Sequence, residues 1–168
     1  MHTSAGPQGL LTPGLVIESA DTYVVGREKV REFARSILAM DPSHHDVDAA
    51  RNAGYANVVA PPTFSAVVTA TVIRDVLTDP RFGIDTSTHT PIHTNEKITL
   101  TAPILAGDVL TASMTITGVA ERGGAIFLDI ETSLRTTDGD PRSTVASSIL
   151  IAPNEEAAQP EKESVVAR

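Results

Sequence analysis

PPTFSAVVTATVIRDVL, residues 61–77, is an almost unbroken run of apolar and small side chains, interrupted only near its end by Arg74 and Asp75. Its β-branched members (Thr63, Val67, Val68, Thr69, Thr71, Val72, Ile73 and Val76) favour a strand by propensity. Its length argues the other way, because a run this long without a turn signal exceeds an ordinary strand. Pro62 suits the first turn of a helix, where a missing N–H costs nothing. The segment is therefore expected to be a buried helix from Thr63 to Leu77. A helix that is apolar on every side has to be wrapped by something.

The wrapping is expected from the residues that follow. Four strand-like runs succeed one another: Pro91 to Thr101, Val109 to Val119, Ala125 to Thr136, and Ser143 to Ala152. They are separated by turn-forming stretches, Ala106-Gly107-Asp108, Glu121-Arg122-Gly123-Gly124 and Asp138-Gly139-Asp140-Pro141. Leu110, Ala112, Met114 and Ile116 alternate with polar residues, and Ile126, Leu128, Ile130 and Thr132 do the same. Alternation with one wet face indicates an antiparallel sheet. Short connections imply that sequence neighbours pair in space. The expected fold is α+β of the hot-dog type, a curved antiparallel sheet wrapped around a central buried helix.

Upstream, Tyr23, Val24 and Val25 suggest a short strand. Val30, Phe33, Ala34, Ile37 and Leu38 then fall at i, i+3, i+4, i+7 and i+8, one face of an amphipathic helix over Arg27 to Ala39. Asp41 to Asp46 reads as a polar loop. A short helix is expected from Val47 to Ala53, with Asp46 as its cap and Gly54 as its left-handed stop. Residues 1–14 are rich in Gly, Pro, Ser and Thr and read as a flexible leader; residues 153–168 read as a disordered acidic tail. That leaves one domain over residues 15–152.

Bulk properties exclude several function classes. The formal net charge is −8 and no basic run exists, which argues against nucleic acid as a partner. There is no cysteine, hence no thiolate metal site, disulfide or Cys nucleophile. No signal peptide or membrane span is visible, so a cytoplasmic location is the default expectation. No Gly-rich phosphate loop or Ser-centred nucleophile motif occurs. No cofactor and no metal are expected.

Three segments carry a resemblance: residues 23–34 (YVVGREKVREFA), residues 58–64 (VVAPPTF) and residues 103–108 (PILAGD). In them the chain resembles the MaoC-like (R)-hydratases and dehydratases. It is most similar to their N-terminal-domain type, which includes the non-catalytic subunits of mycobacterial (3R)-hydroxyacyl-carrier-protein dehydratases. The resemblance implies reversible loss of water from a 3-hydroxyacyl thioester. Such chemistry needs a base for the C2 proton, an acid for the hydroxyl, and hydrogen-bond donors for the enolate oxygen. Active members of the family carry Asp-x-Asn-Pro-x-His and a helix-start glycine whose N–H serves the oxyanion. Laid over this chain, Asp41-Pro42-Ser43-His44 matches Asn-Pro-x-His, so His44 stands at the catalytic histidine. The acid falls at Ala39, which transfers no proton, and the glycine falls near Pro61, which has no N–H. Shifted by two residues, Asp41 takes the acid's place and His44 loses its own.

The resemblance implies an acyl-gripping subunit that binds an acyl-CoA or acyl-carrier-protein thioester and pairs with a hot-dog chain bearing an intact motif. Two alternatives stay open: a self-sufficient homodimeric hydratase using His44 with Asp41 or Asp46, and a non-catalytic lipid or acyl-thioester binding protein. Primary fatty-acid metabolism and a polyketide-like natural-product pathway are equally open. His44 and His45 read either as a surviving base or thioester contact, or as loop histidines that cap a helix or face solvent. Ala60, Pro61, Thr63, Phe64, Val67 and Val68 read either as the wall of an acyl groove or as core packing. His89, His93 and Glu96 are not expected to form a metal site, because His93 and Glu96 should point to opposite faces of a strand. Asp21, Asp108, Asp138 and Asp140 read as turn residues.

Overall fold

Residues 11–154 are described by the computed structural model. Residues 1–10 of the expected leader and 155–168 of the expected tail lie outside them. The chain runs β1 (Val16–Glu18), β2 (Tyr23–Val24), α1 (Arg27–Ser36), a 3₁₀ turn (Pro42–His44) and α2 (Val47–Asn52). A second 3₁₀ turn (Pro62–Phe64) leads into α3 (Ser65–Thr78), and a third (Pro80–Phe82) leads out of it. Then come β3 (His89–Leu100), β4 (Val109–Arg122), β5 (Ala125–Thr136) and β6 (Pro141–Pro153).

All strands pair antiparallel, in the order β1-β4-β5-β6-β3, with β2 also on β4; the sheet is not closed. The apolar run of mid-chain is a helix, as its length required, and it packs against β4, β5 and β6. The expected alternation holds: Leu110, Ala112, Met114 and Ile116 are buried on β4, and Leu128, Ile130, Thr132 and Leu134 on β5. The β4–β5 turn places Gly123 and Gly124 both at positive φ, which is what a two-residue hairpin needs.

The helix is wrapped on one side only. Ser65, Val68, Thr69, Val72, Ile73 and Val76 form its buried stripe. Ala70, Arg74 and Asp75 are exposed. Propensity and hydropathy do not distinguish small residues that face a core from small residues that face a groove, so the expectation of burial all round was too strong. Where the stripe meets the sheet, Ser65 Oγ and Ser143 Oγ are buried 2.9 Å apart and satisfy each other.

β3 departs furthest from expectation. It occupies one edge of the sheet, paired only with β6, and its residues are exposed or half-buried on both faces. A bulge between His93 and Asn95 shifts the register by one residue. His93 lies opposite Ile149 and Glu96 opposite Ser147, both buried inward-facing positions. His93 and Glu96 therefore share the inner face, and the argument from strict alternation is overturned by the extra residue. Among the described residues no cluster of three or more metal-ligating side chains occurs.

Two boundaries also move. Leu11, placed in the leader by composition, is buried in the core, and Gly14 N–H donates to Ile116 O at 2.8 Å. The amphipathic helix stops at Ser36, three residues before its expected end, and Ile37 and Leu38 leave the buried face. The stop is a Schellman closure: Leu38 N–H donates to Arg35 O (3.2 Å) and Ala39 N–H to Ala34 O (2.8 Å). Glycine normally fills the left-handed position, but here Leu38 does, at φ 57, the single non-glycine residue with positive φ among those described. A leucine held there costs about 1–2 kcal/mol. Leu38→Gly is therefore expected to raise stability by about 0.5–1 kcal/mol, after the entropy of an added glycine. Urea denaturation checks this, and a lowered midpoint would show that the leucine side chain is needed by the fold.

Candidate functional site

Residues 58–60 build the floor of the site. They run as a strap between two loops: Ala60 N–H donates to Ile104 O (2.8 Å), Ala106 N–H to Val58 O (3.0 Å), and Val59 N–H to Ser43 O (3.0 Å). This fixes the loop of residues 41–46 against the start of α3. Arg31 adds a second tie from α1, its Nε donating to His45 O at 2.7 Å. The 103–108 loop on the far side is held by Asp108, which accepts from Leu105 N–H and grips Arg142 with both carboxylate oxygens at 2.7 and 3.0 Å. Asp108 is thus a turn residue, as expected, and also an anchor to β6, which no local pattern discloses.

Between these parts lies a cleft of about 250 Å³, lined by Asp41, Ser43, His44, Tyr55, Ala60 and Pro61 among others. In the motif alignment Asp41 and His44 exclude each other, whereas the homodimer reading pairs them; the fold brings both to one cavity. His44 Nδ1 lies 2.7 Å from Val59 O. A carbonyl only accepts, so Nδ1 carries the proton and the neutral ring keeps its lone pair on Nε2. His44 therefore has the tautomer a general base requires.

Asp41 is otherwise engaged. Its Oδ1 accepts from Ser43 N–H (2.9 Å) and from Ser43 Oγ–H (2.6 Å), which caps the 3₁₀ turn. Those bonds from Ser43 hold its carboxyl below the usual carboxylate range. It stays ionised at neutral pH and has no proton to give. Ala39, where the resemblance places an acid, does not line the cleft; its carbonyl accepts from His45 Nε2 at 2.7 Å. Pro61 and Pro62 both line the cleft at the entry to α3, and neither has an N–H to offer an oxyanion.

The remaining candidates divide. Ala60 and Pro61 are in the cleft. Phe64 and Val68 are wholly buried in the core, Phe64 edge-on to Tyr23 and Phe33 with centroids 6.1 and 5.4 Å away. Val67 is half-buried against the core and Thr63 is exposed. A second, open groove of about 380 Å³ runs between the bare flank of α3 (Ala66, Ala70) and the inner face of β3 (His93, Glu96). The sequence missed it, because the bulge that aims β3 has no local signature. Asp46 caps α2 as expected, accepting from Ala49 N–H at 2.7 Å. No helix among the described residues is long and apolar enough to cross a membrane.

Asp79 and Asp85 repeat the Asp41 device: bonds from Arg81 and Ser87, respectively, keep their carboxyls below the usual range. A carboxyl depressed in the folded state stabilises the fold above its unfolded pKa, and that contribution is lost as pH falls through the folded value. The thermal midpoint is expected to hold steady from neutral pH to about 5 and to decline below about 4. Asp41→Asn should shallow that decline, and an unchanged acid limb in the variant would remove Asp41 from it.

Comparison with known proteins follows the same lines. The family model for the FAS1-like, dehydratase domain region matches residues 12–145. A UPF0336 protein of Clavibacter michiganensis is 43% identical over 138 residues, covering 82% of this chain and 91% of that one. A chain of the C-terminally truncated HadBC (3R-hydroxyacyl-ACP dehydratase) complex of Mycobacterium tuberculosis superposes with a TM-score of 0.72 at 29% identity, covering 82% of this chain and 96% of that one. A MaoC-like dehydratase superposes with a TM-score of 0.73 at 28% identity; 86% of this chain is covered but only 43% of that longer one.

Proposed function

The chain belongs to the FAS1-like dehydratase-region family, a MaoC-like hot-dog domain, and we propose that within it this chain is the acyl-thioester-holding subunit of an (R)-specific 3-hydroxyacyl-thioester dehydratase/enoyl-thioester hydratase. One observation carries the reading. The cleft keeps a histidine in the base tautomer, yet its single carboxylate is spent as a cap and the helix start beside it is two prolines. Water loss needs a proton donor for the hydroxyl and a donor for the enolate oxygen; Asp41 holds no proton to give, and Pro61 and Pro62 have no N–H. Both are left to a partner.

The exposed edge of β3 supports the same reading. A twelve-residue edge strand, paired with β6 on one side only and exposed or half-buried on both faces, invites strand addition along its free edge. A second hot-dog chain laid along this edge would roof the groove between α3 and β3, where the acyl chain is proposed to lie. The similar HadBC protein is a complex, and the similar MaoC-like chain is more than long enough for two such domains. The proposed substrate is an acyl group on CoA or on a carrier protein.

The test is binding without turnover. Crotonyl-CoA should raise the thermal midpoint of the purified chain while hydration stays at the uncatalysed rate. Full turnover by the single chain overturns the proposal. A second reading, a self-sufficient homodimer that uses His44, is favoured only by the shared cleft of His44 and Asp41. It requires His44→Ala to abolish activity of the chain on its own.

A further inference from the structure

Three of the large apolar side chains that the fold leaves in solvent fall within four residues: Ile37, Leu38 and Met40 are 45%, 79% and 73% exposed. They form a shoulder at the end of α1, and Met40 is followed directly by Asp41 in the wall of the cleft. Tyr55 and Leu100, also exposed, line the same cleft. The backbone holds Leu38 in a left-handed conformation that turns this side chain outward at a cost to the fold. An exposed leucine kept under strain beside a cleft mouth points to a contact with another molecule.

Charge indicates what kind of molecule. The chain as a whole carries −8, yet α1 holds Arg27, Lys29, Arg31 and Arg35 against only Glu28 and Glu32. The carboxylates are taken up locally, Glu32 by Lys29 and Glu28 by Arg31. Arg35, next to the shoulder, has no ion pair among the described residues. Those pairs also neutralise Lys29 and Arg31, so the helix keeps a net charge of +2, on Arg27 and on Arg35 beside the apolar knob, in an otherwise acidic protein. That pairing suits an acidic surface with a small apolar patch at its centre.

We propose that this shoulder docks the acidic helix of an acyl carrier protein, so that this subunit, rather than its catalytic partner, presents the carrier-borne thioester to the cleft mouth. The inference rests on the thioester-holding role above and selects the carrier protein over CoA as the natural donor. The hot-dog partner is assigned to the β3 edge, which leaves the shoulder open to a third molecule.

The experiment compares two probes on one complex. The full-length chain, co-purified with a catalytic hot-dog partner, is titrated with crotonyl-acyl carrier protein and with crotonyl-CoA. The variants are Leu38→Gly, which suits the backbone there, and Arg35→Glu with Met40→Ser. Carrier-protein affinity is expected to fall about tenfold or more, with crotonyl-CoA affinity within about twofold of wild type. An equal loss for both probes, or no loss for the carrier protein, overturns the docking site and leaves the holding role standing. Loss of the catalytic partner from the purified variants also overturns it, by reassigning the shoulder to the hot-dog interface. Failure of the wild-type complex to bind either probe sinks both the docking site and the holding role.

Discussion

Joined to a hot-dog partner with an intact Asp-x-Asn-Pro-x-His motif, the chain is expected to support crotonyl-thioester hydration at least about 10³-fold faster than it does alone. The magnitude follows from the parts its cleft lacks. A positioned general acid contributes about 10²–10⁴ in rate. One preorganised oxyanion donor contributes about 10²–10³. Asp41 cannot supply the first while Ser43 holds it as an anion. Pro61 and Pro62 cannot supply the second. In the complex, His44→Ala is expected to change turnover by less than about threefold, because its ring answers to no acid on this side. Rates of the chain, the partner and the complex, measured in parallel, decide the matter. A His44→Ala complex as slow as the chain alone would move the chemistry back into this cleft.

Phe64→Ala is expected to cost about 3–5 kcal/mol of stability, the largest loss from any single truncation considered. Phe64 is fully buried, and it is the hinge of the site as well as a core residue. Its ring meets Tyr23 from β2 and Phe33 from α1 edge-on, so one side chain ties both to the start of α3. Each such ring pair adds about 0.5–1.5 kcal/mol beyond its buried area. The 3₁₀ turn that carries Phe64 also positions Pro61 and Pro62 in the cleft. Phe64→Leu should cost under about 2 kcal/mol, because most of the volume is restored. Urea unfolding separates the two variants, and a loss below about 1 kcal/mol for alanine would take Phe64 out of the core.

Much of this was written locally in the chain. The length of the 61–77 run outweighed its β-branched composition, and a helix resulted. The three turns between β3 and β6 stand where Gly107, Gly123-Gly124 and Gly139 mark them. Asp46 and Gly54 bracket α2 as their chemistry requires. What stayed illegible depends on contacts far apart in sequence. The tautomer of His44 is set by a carbonyl fifteen residues away. The end of α1 was misread because periodicity continued through Ile37 and Leu38, while the backbone closed on Ala34 and Arg35 instead. β1 was missed because three residues, two exposed and one half-buried, carry no pattern, and their order comes from pairing with β4. Phe64, Val68 and Ala60 all read as candidate groove wall; only the packing of α3 sends the first two inward and leaves Ala60 at the cleft.

The irregularity at Thr94 makes side-chain placement in β3 a question of counting rather than of chemistry. Downstream of it, Glu96, Ile98 and Leu100 share the inner face of the sheet with His93; in an even strand of the same composition Asn95, Lys97 and Thr99 would do so. Excision of Thr94 should leave every later residue in phase, whereas loss of any one residue between Asn95 and Leu100 would invert those beyond it. Homologues one residue shorter at this point can therefore be equivalent to this chain, and an alignment that refuses a gap here will compare opposite faces.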